Sequence, residues 1–274
     1  MPKMKLPIAA ELPQPEHIDI DALAASWIDG SIDLVCVLGP TASGKTKYAV
    51  ALAARLSEAV SRLRPDLGHV QCEILSADSR QVYRGMDIGT GKDLCEYGDV
   101  PYHLIDICEA GERYNVYRFQ KDFADAYNEI RSRGCLPILC GGTGLYIESA
   151  TRGYDFSKDN PQVDPSALPQ RTFYIGTLVD RDTRNARIDA RLAARLEEGM
   201  VDEIRGLIDR GVPSENLIWY GLEYKFVTQY VLGEISYDFM KEHLGIAIHQ
   251  FAKRQMTWFR GMERDGVEIH WVEV

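Results

Sequence analysis

The chain has 274 residues, 45% of them hydrophobic and 26% charged, with a formal net charge of −10. That length allows one large α/β domain, or one domain with a small lobe, and no apolar run approaches the ~20 residues of a membrane-spanning helix. The acidic balance argues mildly against a nucleic-acid binder, whose affinity comes largely from neutralising phosphates.

Residues 1–30 read as an N-terminal extension, interrupted by Pro2, Pro7, Pro13 and Pro15 and ending in a short helical segment around Asp21 to Ile28. It lacks the apolar core of a signal peptide, so the expected location is the cytoplasm. From Asp33 the pattern changes. The apolar run Asp33 to Leu38, ended by glycine, predicts a buried strand. A helix follows from Lys45 to about Glu58, with Ala49, Leu52, Ala53 and Leu56 on one face. Glu73 to Ser76 is the next strand, and Ala77 to Lys92, rich in Gly, Asp and Arg, is a functional loop. His103 to Ile107 reads as a short strand. Asn115 caps a helix reaching about Arg133, stopped by Gly134. Leu136 to Cys140 is another buried strand.

Residues 151–171, with Pro161, Pro165 and Pro169, read as a linker or reduced insertion within a domain spanning 31–274. Thr172 to Val179 is a strand, and Arg184 to Arg210 carries helical spacing through Ile188, Leu192, Leu196, Met200, Ile204 and Leu207. Ser236 caps a long helix to about Met262, and Val267 to Val272 is a last strand. On that last helix, Lys253, Arg254, Arg260 and Arg264 could form a local basic patch, or a solvated face balanced by Glu263 and Asp265. Alternating strands and helices predict an α/β fold, a P-loop NTPase-like parallel sheet flanked by helices with a helical C-terminal part. None of the six cysteines forms a C-x-x-C pair, so buried free thiols are expected rather than a metal site or disulfides.

Gly39-Pro40-Thr41-Ala42-Ser43-Gly44-Lys45-Thr46 matches G-x-x-x-x-G-K-[ST], with a strand before and a helix after. Glycines let the backbone wrap an anion with its N–H groups, and the helix N-terminus adds positive potential. Lys45 would reach the terminal phosphate oxygens, and the Thr46 hydroxyl would ligate Mg2+. The loop does not say which phosphate compound binds. Asp78 follows a strand end, where ligands of open parallel sheets bind. There it could be a general base, an indirect Mg2+ ligand, or a turn cap. In Gly141-Gly142-Thr143-Gly144-Leu145-Tyr146, the glycines permit close backbone approach and Thr143 offers a hydroxyl.

These motifs together resemble the tRNA dimethylallyltransferase (isopentenyltransferase) family. The stretches that carry the resemblance are the loop 39–46, the run from Asp78 to Lys92, His103 to Asp106, Pro137 to Tyr146, and Ala252-Lys-Arg-Gln-Met-Thr-Trp-Phe-Arg260. The resemblance implies transfer of a dimethylallyl group from dimethylallyl diphosphate to N6 of adenine. The phosphate loop, residues Gly39 to Thr46, would then hold the donor's diphosphate together with Arg187. It implies that Asp78 takes the N6 proton and that Thr41 contacts the bridging oxygen of the leaving group. Asp78, Ser79, Arg80, Gln81 and Thr143 would line the route of the adenine. Members acting on tRNA carry a helical insertion where this chain has only residues 151–171, and the Gly-Tyr-Lys/Arg signature before the last long helix is present loosely, as Gly221-Leu-Glu-Tyr224-Lys225. The acceptor is therefore tRNA or a free adenine nucleotide such as AMP, and a P-loop small-molecule or nucleotide kinase is a further reading.

Overall fold

The computed structural model describes residues 13–153 and 163–274. Asp19 starts α1 (Ile20–Ile28) by accepting the N–H groups of Asp21 and Ala22. The chain continues through β1 (Leu34–Leu38), α2 (Lys45–Leu63), β2 (Cys72–Ser76) and β3 (Tyr102–His103). Then come α3 (Val116–Ser132), β4 (Leu136–Gly141), α4 (Gly144–Thr151) and β5 (Thr172–Leu178). Five helices follow: α5 (Arg181–Glu197), α6 (Met200–Asp209), α7 (Ser214–Tyr220), α8 (Leu222–Val231) and α9 (Tyr237–Arg264). Strand β6 (Ile269–Glu273) closes the chain. Among the described residues no helix is long and apolar enough to cross a membrane.

The six strands form one sheet in the order β3-β2-β4-β1-β5-β6, with every pairing parallel. A parallel sheet is covered on both faces, so its strands are apolar throughout rather than alternating. Strand β1 shows this directly. Leu34, Cys36 and Leu38 join one buried cluster with Phe119, Phe123 and Tyr127 of α3. Val35 and Val37 join the opposite cluster with Leu52, Ala53 and Leu56 of α2. The three aromatic residues of α3 recur every fourth position and stack with centroids 6.1 and 5.7 Å apart, which is why this segment is a helix with one dry face. Truncating either buried Phe to Ala would cost roughly 3–5 kcal/mol. From β1 the chain crosses over α2 to β2, stepping past the position of β4. The crevice between the ends of β1 and β4 is thus where the strand order switches, the place where such sheets hold ligands.

Several sequence expectations changed. Residues 13–30 pack on the body instead of projecting as an extension: Ile18, Ile20, Leu23 and Ala24 are buried beside α2, and the Glu16 N–H donates to the Trp271 carbonyl. Residues 1–12 of that segment, and 154–162 of the expected insertion at 151–171, lie outside the described residues. The expected strand 103–107 is only two residues long, because the backbone turns left-handed at Leu104 and Asp106 (φ 65° and 56°). Lys92 explains the turn. Its ammonium is fully buried, pairs with Asp106 and with Asp87 at 2.9 Å, and draws the chain around itself. The single helix expected over 184–210 is two, split at Gly199, whose φ of 103° lies outside the helical range. Helices α7 and α8 lie in a stretch to which the sequence reading assigned no element.

Candidate active site

Three loops leave the sheet on the same edge and meet in a cavity of about 370 Å³. The first is the phosphate loop after β1. Gly44 stands at the start of α2 in the left-handed region (φ 79°), and so does Ala42 (φ 61°). The latter is a conformation that a residue with a Cβ holds only when its surroundings enforce it. The first N–H groups of α2 have no partner within the helix, and Gly44, Lys45 and Thr46 line the cavity. Burial lowers the pKa of the Lys45 ammonium from its ordinary value, against the opposing pull of Cys140 and Asp78. Its nearest hydrogen-bond acceptor is the Pro40 carbonyl at 3.5 Å, too long to satisfy it.

Not every residue of the loop faces the cavity. The Ser43 hydroxyl is buried and hydrogen-bonds Thr177 of β5 at 2.6 Å, and Thr177 donates to the Leu38 carbonyl. Gly39 sits so close to Thr177 that a Cβ there would overlap its hydroxyl. Gly39, Pro40 and Ser43 therefore shape the loop from behind. Thr41, Ala42, Gly44, Lys45 and Thr46 form its inner wall.

The second loop follows β2. Asp78 lines the cavity opposite Lys45 and accepts the N–H of Arg80 at 2.9 Å, which fixes the turn. Arg80 forms an ion pair with Glu223 of α8 that is nearly sealed from water. Gln81 donates to the Gly91 carbonyl at 3.2 Å and accepts from Ser76. Ser79 turns away: its N–H donates to the Thr143 hydroxyl at 3.1 Å. Thr143 thus spends its oxygen on joining the second loop to the third, the turn after β4. Gly141 in that turn lies so near the Ala77 carbonyl that no Cβ would fit. Cys140 lies on the cavity floor, where burial pushes its thiol up to about 12, so it is neutral and not a nucleophile at physiological pH.

Three features of the cavity were given no role in the sequence reading. Gln255 of α9 is buried, accepts the Thr41 N–H at 2.8 Å and donates to the Gly142 carbonyl at 2.8 Å, so one side chain ties the first loop to the third. Arg191 and Arg195 join Arg187 on the cavity wall. Their spacing at i, i+4 and i+8 was legible in the sequence as one helix face, whereas Gln255 is 214 residues from Thr41 and left no such signal. Leu222, Ile248 and Phe251 supply an apolar patch on the same cavity. Outside it, Lys253, Arg254, Thr257 and Trp258 of α9 line an open groove, with the indole N–H of Trp258 held by Glu148 at 2.7 Å. Asp265 and Glu148 line the same groove and set two carboxylates against its two cations, while Glu263 accepts from the Trp271 indole.

A parallel sheet with a Gly39 to Thr46 loop at its switch point defines a protein of the P-loop class. The sequence profile of the IPP transferase family matches residues 81–169 and 156–262. A tRNA dimethylallyltransferase 1 of Parabacteroides distasonis is 45% identical over 299 residues, covering 89% of this chain and 93% of its own. An alignment of 299 positions that uses 89% of a 274-residue chain leaves part of the relative unmatched, so that protein carries residues this chain lacks. The full-length tRNA isopentenylpyrophosphate transferase of Bacillus halodurans has a TM-score of 0.74 at 30% identity, covering 88% of this chain and 89% of its own. The tRNA delta(2)-isopentenylpyrophosphate transferase of Staphylococcus epidermidis has a TM-score of 0.69 at 26% identity, covering 88% and 92%. The chain belongs to the IPP transferase family of prenyltransferases.

Proposed function

We propose that this chain transfers a dimethylallyl group from dimethylallyl diphosphate to N6 of an adenine in tRNA. The observation that carries this reading is a single cavity with an anion-binding loop on one wall, the Asp78 carboxylate on another, and the apolar side chains of Leu222, Ile248 and Phe251 beside them. That apolar patch suits a five-carbon tail beside the diphosphate.

In the reaction the allylic C1–O bond breaks, the N6–C1 bond forms, and the N6 proton passes to Asp78 while diphosphate leaves. The leaving group gains charge as the bond lengthens. The loop amides, Lys45 and Arg187 stabilise that charge, and Thr41 faces the bridging oxygen. Lys45 suits this task because it is desolvated, so a neighbouring anion is worth more to it than to a lysine in water. The Thr46 hydroxyl is a hard oxygen donor on the cavity. It would hold Mg2+ together with diphosphate oxygens, and the ion would neutralise charge on the leaving group. An adenine in a folded RNA must leave its stack to reach Asp78. Asp78, Arg80 and Gln81 line its route, and Ser79 and Thr143 hold the two loops that form it. In the groove along α9, Lys253 and Arg254 offer contacts to an RNA backbone and the exposed Trp258 a face to a neighbouring base, beside the carboxylates of Glu148 and Asp265. With tRNA as substrate, the reaction belongs in the cytoplasm.

The test is incubation with dimethylallyl diphosphate and Mg2+ plus either tRNA or AMP, followed by mass analysis. An added C5H8 on tRNA adenine is expected. Addition to AMP alone would move the acceptor to a free nucleotide, and no addition to either would overturn the transferase reading.

A further inference from the structure

The second loop continues past Gln81 into a tight turn around residues 86–92, and its backbone donors divide into two sets. The Gly91 N–H donates to the Ile88 carbonyl at 3.2 Å and the Lys92 N–H to the Asp87 carbonyl at 3.1 Å, closing the turn on itself. The N–H groups of Asp87, Ile88 and Gly89 go instead to one carboxylate. Glu203 of α6 accepts them at 2.8, 2.7 and 3.1 Å. Successive N–H groups that converge in this way make an anion-binding nest, and here the anion is a side chain of the protein, 116 residues on from Asp87. Glu203 stands in the first turn of α6, where the helix dipole favours negative charge. The fully buried Tyr224 of α8 donates its hydroxyl to the same carboxylate at 2.6 Å. A Cβ at Gly89 would meet the Tyr224 ring at 2.8 Å, so the turn is seated closely against α8. What the turn carries belongs to the cavity. Thr90 and Gly91 line it, and the Gly91 carbonyl accepts from Gln81 at 3.2 Å. Glu203 is not among the lining residues.

We propose that Glu203 is a positioning residue for the transfer: its carboxylate fixes the 87–91 turn, and through the Gly91 carbonyl the turn fixes Gln81 on the route of the adenine. The proposal rests on the reading of the cavity as the place where adenine meets the donor. Glu203 touches no reacting atom. It acts on the reaction through Gln81 and the wall formed by Thr90 and Gly91, so its loss misplaces the acceptor while the phosphate loop on the opposite wall keeps its shape. Tyr224 contributes to holding the carboxylate but makes no hydrogen bond to the turn itself. The two side chains can therefore be separated by mutation.

The test compares the full chain with its Glu203→Gln and Tyr224→Phe variants in transfer from dimethylallyl diphosphate to tRNA, with thermal denaturation of each to count folded protein. Glu203→Gln keeps the size of the side chain and turns one accepting oxygen into a donor that faces other donors. Its kcat per folded molecule is expected to fall by about tenfold or more, with KM for dimethylallyl diphosphate within about twofold of the parent. Tyr224→Phe keeps all three contacts to the turn, so its kcat is expected to stay within about threefold of the parent even though it loses a buried hydrogen bond and melts lower. A Glu203→Gln protein with the parent's kcat overturns the assignment. A Glu203→Gln protein that fails to fold, or whose loss is accounted for by unfolded protein, overturns it in favour of a structural role, as does a Tyr224→Phe protein that loses as much kcat as Glu203→Gln. These outcomes leave the reading of the cavity standing. A parent that transfers nothing removes that reading and this inference with it.

Discussion

Replacing Gln255 with Met keeps the length and helix preference of the side chain and removes both of its polar contacts. The Gly142 carbonyl would lose its partner in a buried position, at about 1–3 kcal/mol. The Thr41 N–H borders the cavity and can recover water, so its loss is nearer ~0.5–1.5 kcal/mol. The total, roughly 2–4 kcal/mol, corresponds to a fall in melting temperature of roughly 5–15 °C for a chain of this size. Stability is only half of the expectation. Gln255 sets the distance between the loop that holds the leaving group and the turn that carries Thr143, so small misplacements should reach the reacting atoms. Transfer kcat/KM is expected to fall by about tenfold or more beyond any loss of folded protein. Thermal denaturation followed by circular dichroism, together with transfer kinetics on the folded fraction, measures both. A Gln255→Met protein with unchanged melting temperature and unchanged kcat/KM would refute the claim that this side chain couples the two loops.

Asp78→Asn keeps the oxygen that accepts the Arg80 N–H, so the turn should survive while the base is lost. Transfer should drop by roughly 10²–10⁴-fold with diphosphate affinity little changed, and simultaneous loss of both in calorimetry would point to a structural role instead. Because burial lowers the pKa of Lys45, the cation is penalised in the folded state, and its proton is lost at lower pH than in the unfolded chain. The contribution of Lys45 to ligand-free stability should therefore rise as pH climbs from the lowered value toward the ordinary lysine value, while diphosphate affinity falls over the same interval. Calorimetric titrations across alkaline pH, with Lys45→Arg expected to flatten the profile, check the sign. Gly141→Ala drives a methyl into the Ala77 carbonyl, which is backbone and cannot turn aside; a loss of about 1–3 kcal/mol or more is expected in thermal denaturation, and a melting temperature equal to the parent's would show that the β2 and β4 ends can separate freely.

The sequence by itself determined much of this protein, wherever a signal is local. The G-x-x-x-x-G-K-T spacing, the glycine turn after β4 and the apolar runs of β1, β2 and β4 each depend on neighbouring residues, and all appear where the residues put them. The caps at Asn115 and Ser236 are local in the same way, each accepting an N–H three residues on. Tertiary structure decided what depends on distant partners. Leu104 and Asp106 would extend as a strand on their own, but the buried Lys92 needs carboxylates around it and bends the chain to bring Asp106 there. Ser43 and Thr143 carry hydroxyls suited to a ligand, yet packing sets Ser43 against Thr177 and Thr143 against Ser79, and those contacts hold the loops in place. Gln255 could not be singled out without knowing that α9 crosses beneath the switch point, because its two partners come from other parts of the chain. Arg195 looks like any surface arginine in the sequence; only the tertiary structure buries it on the cavity wall.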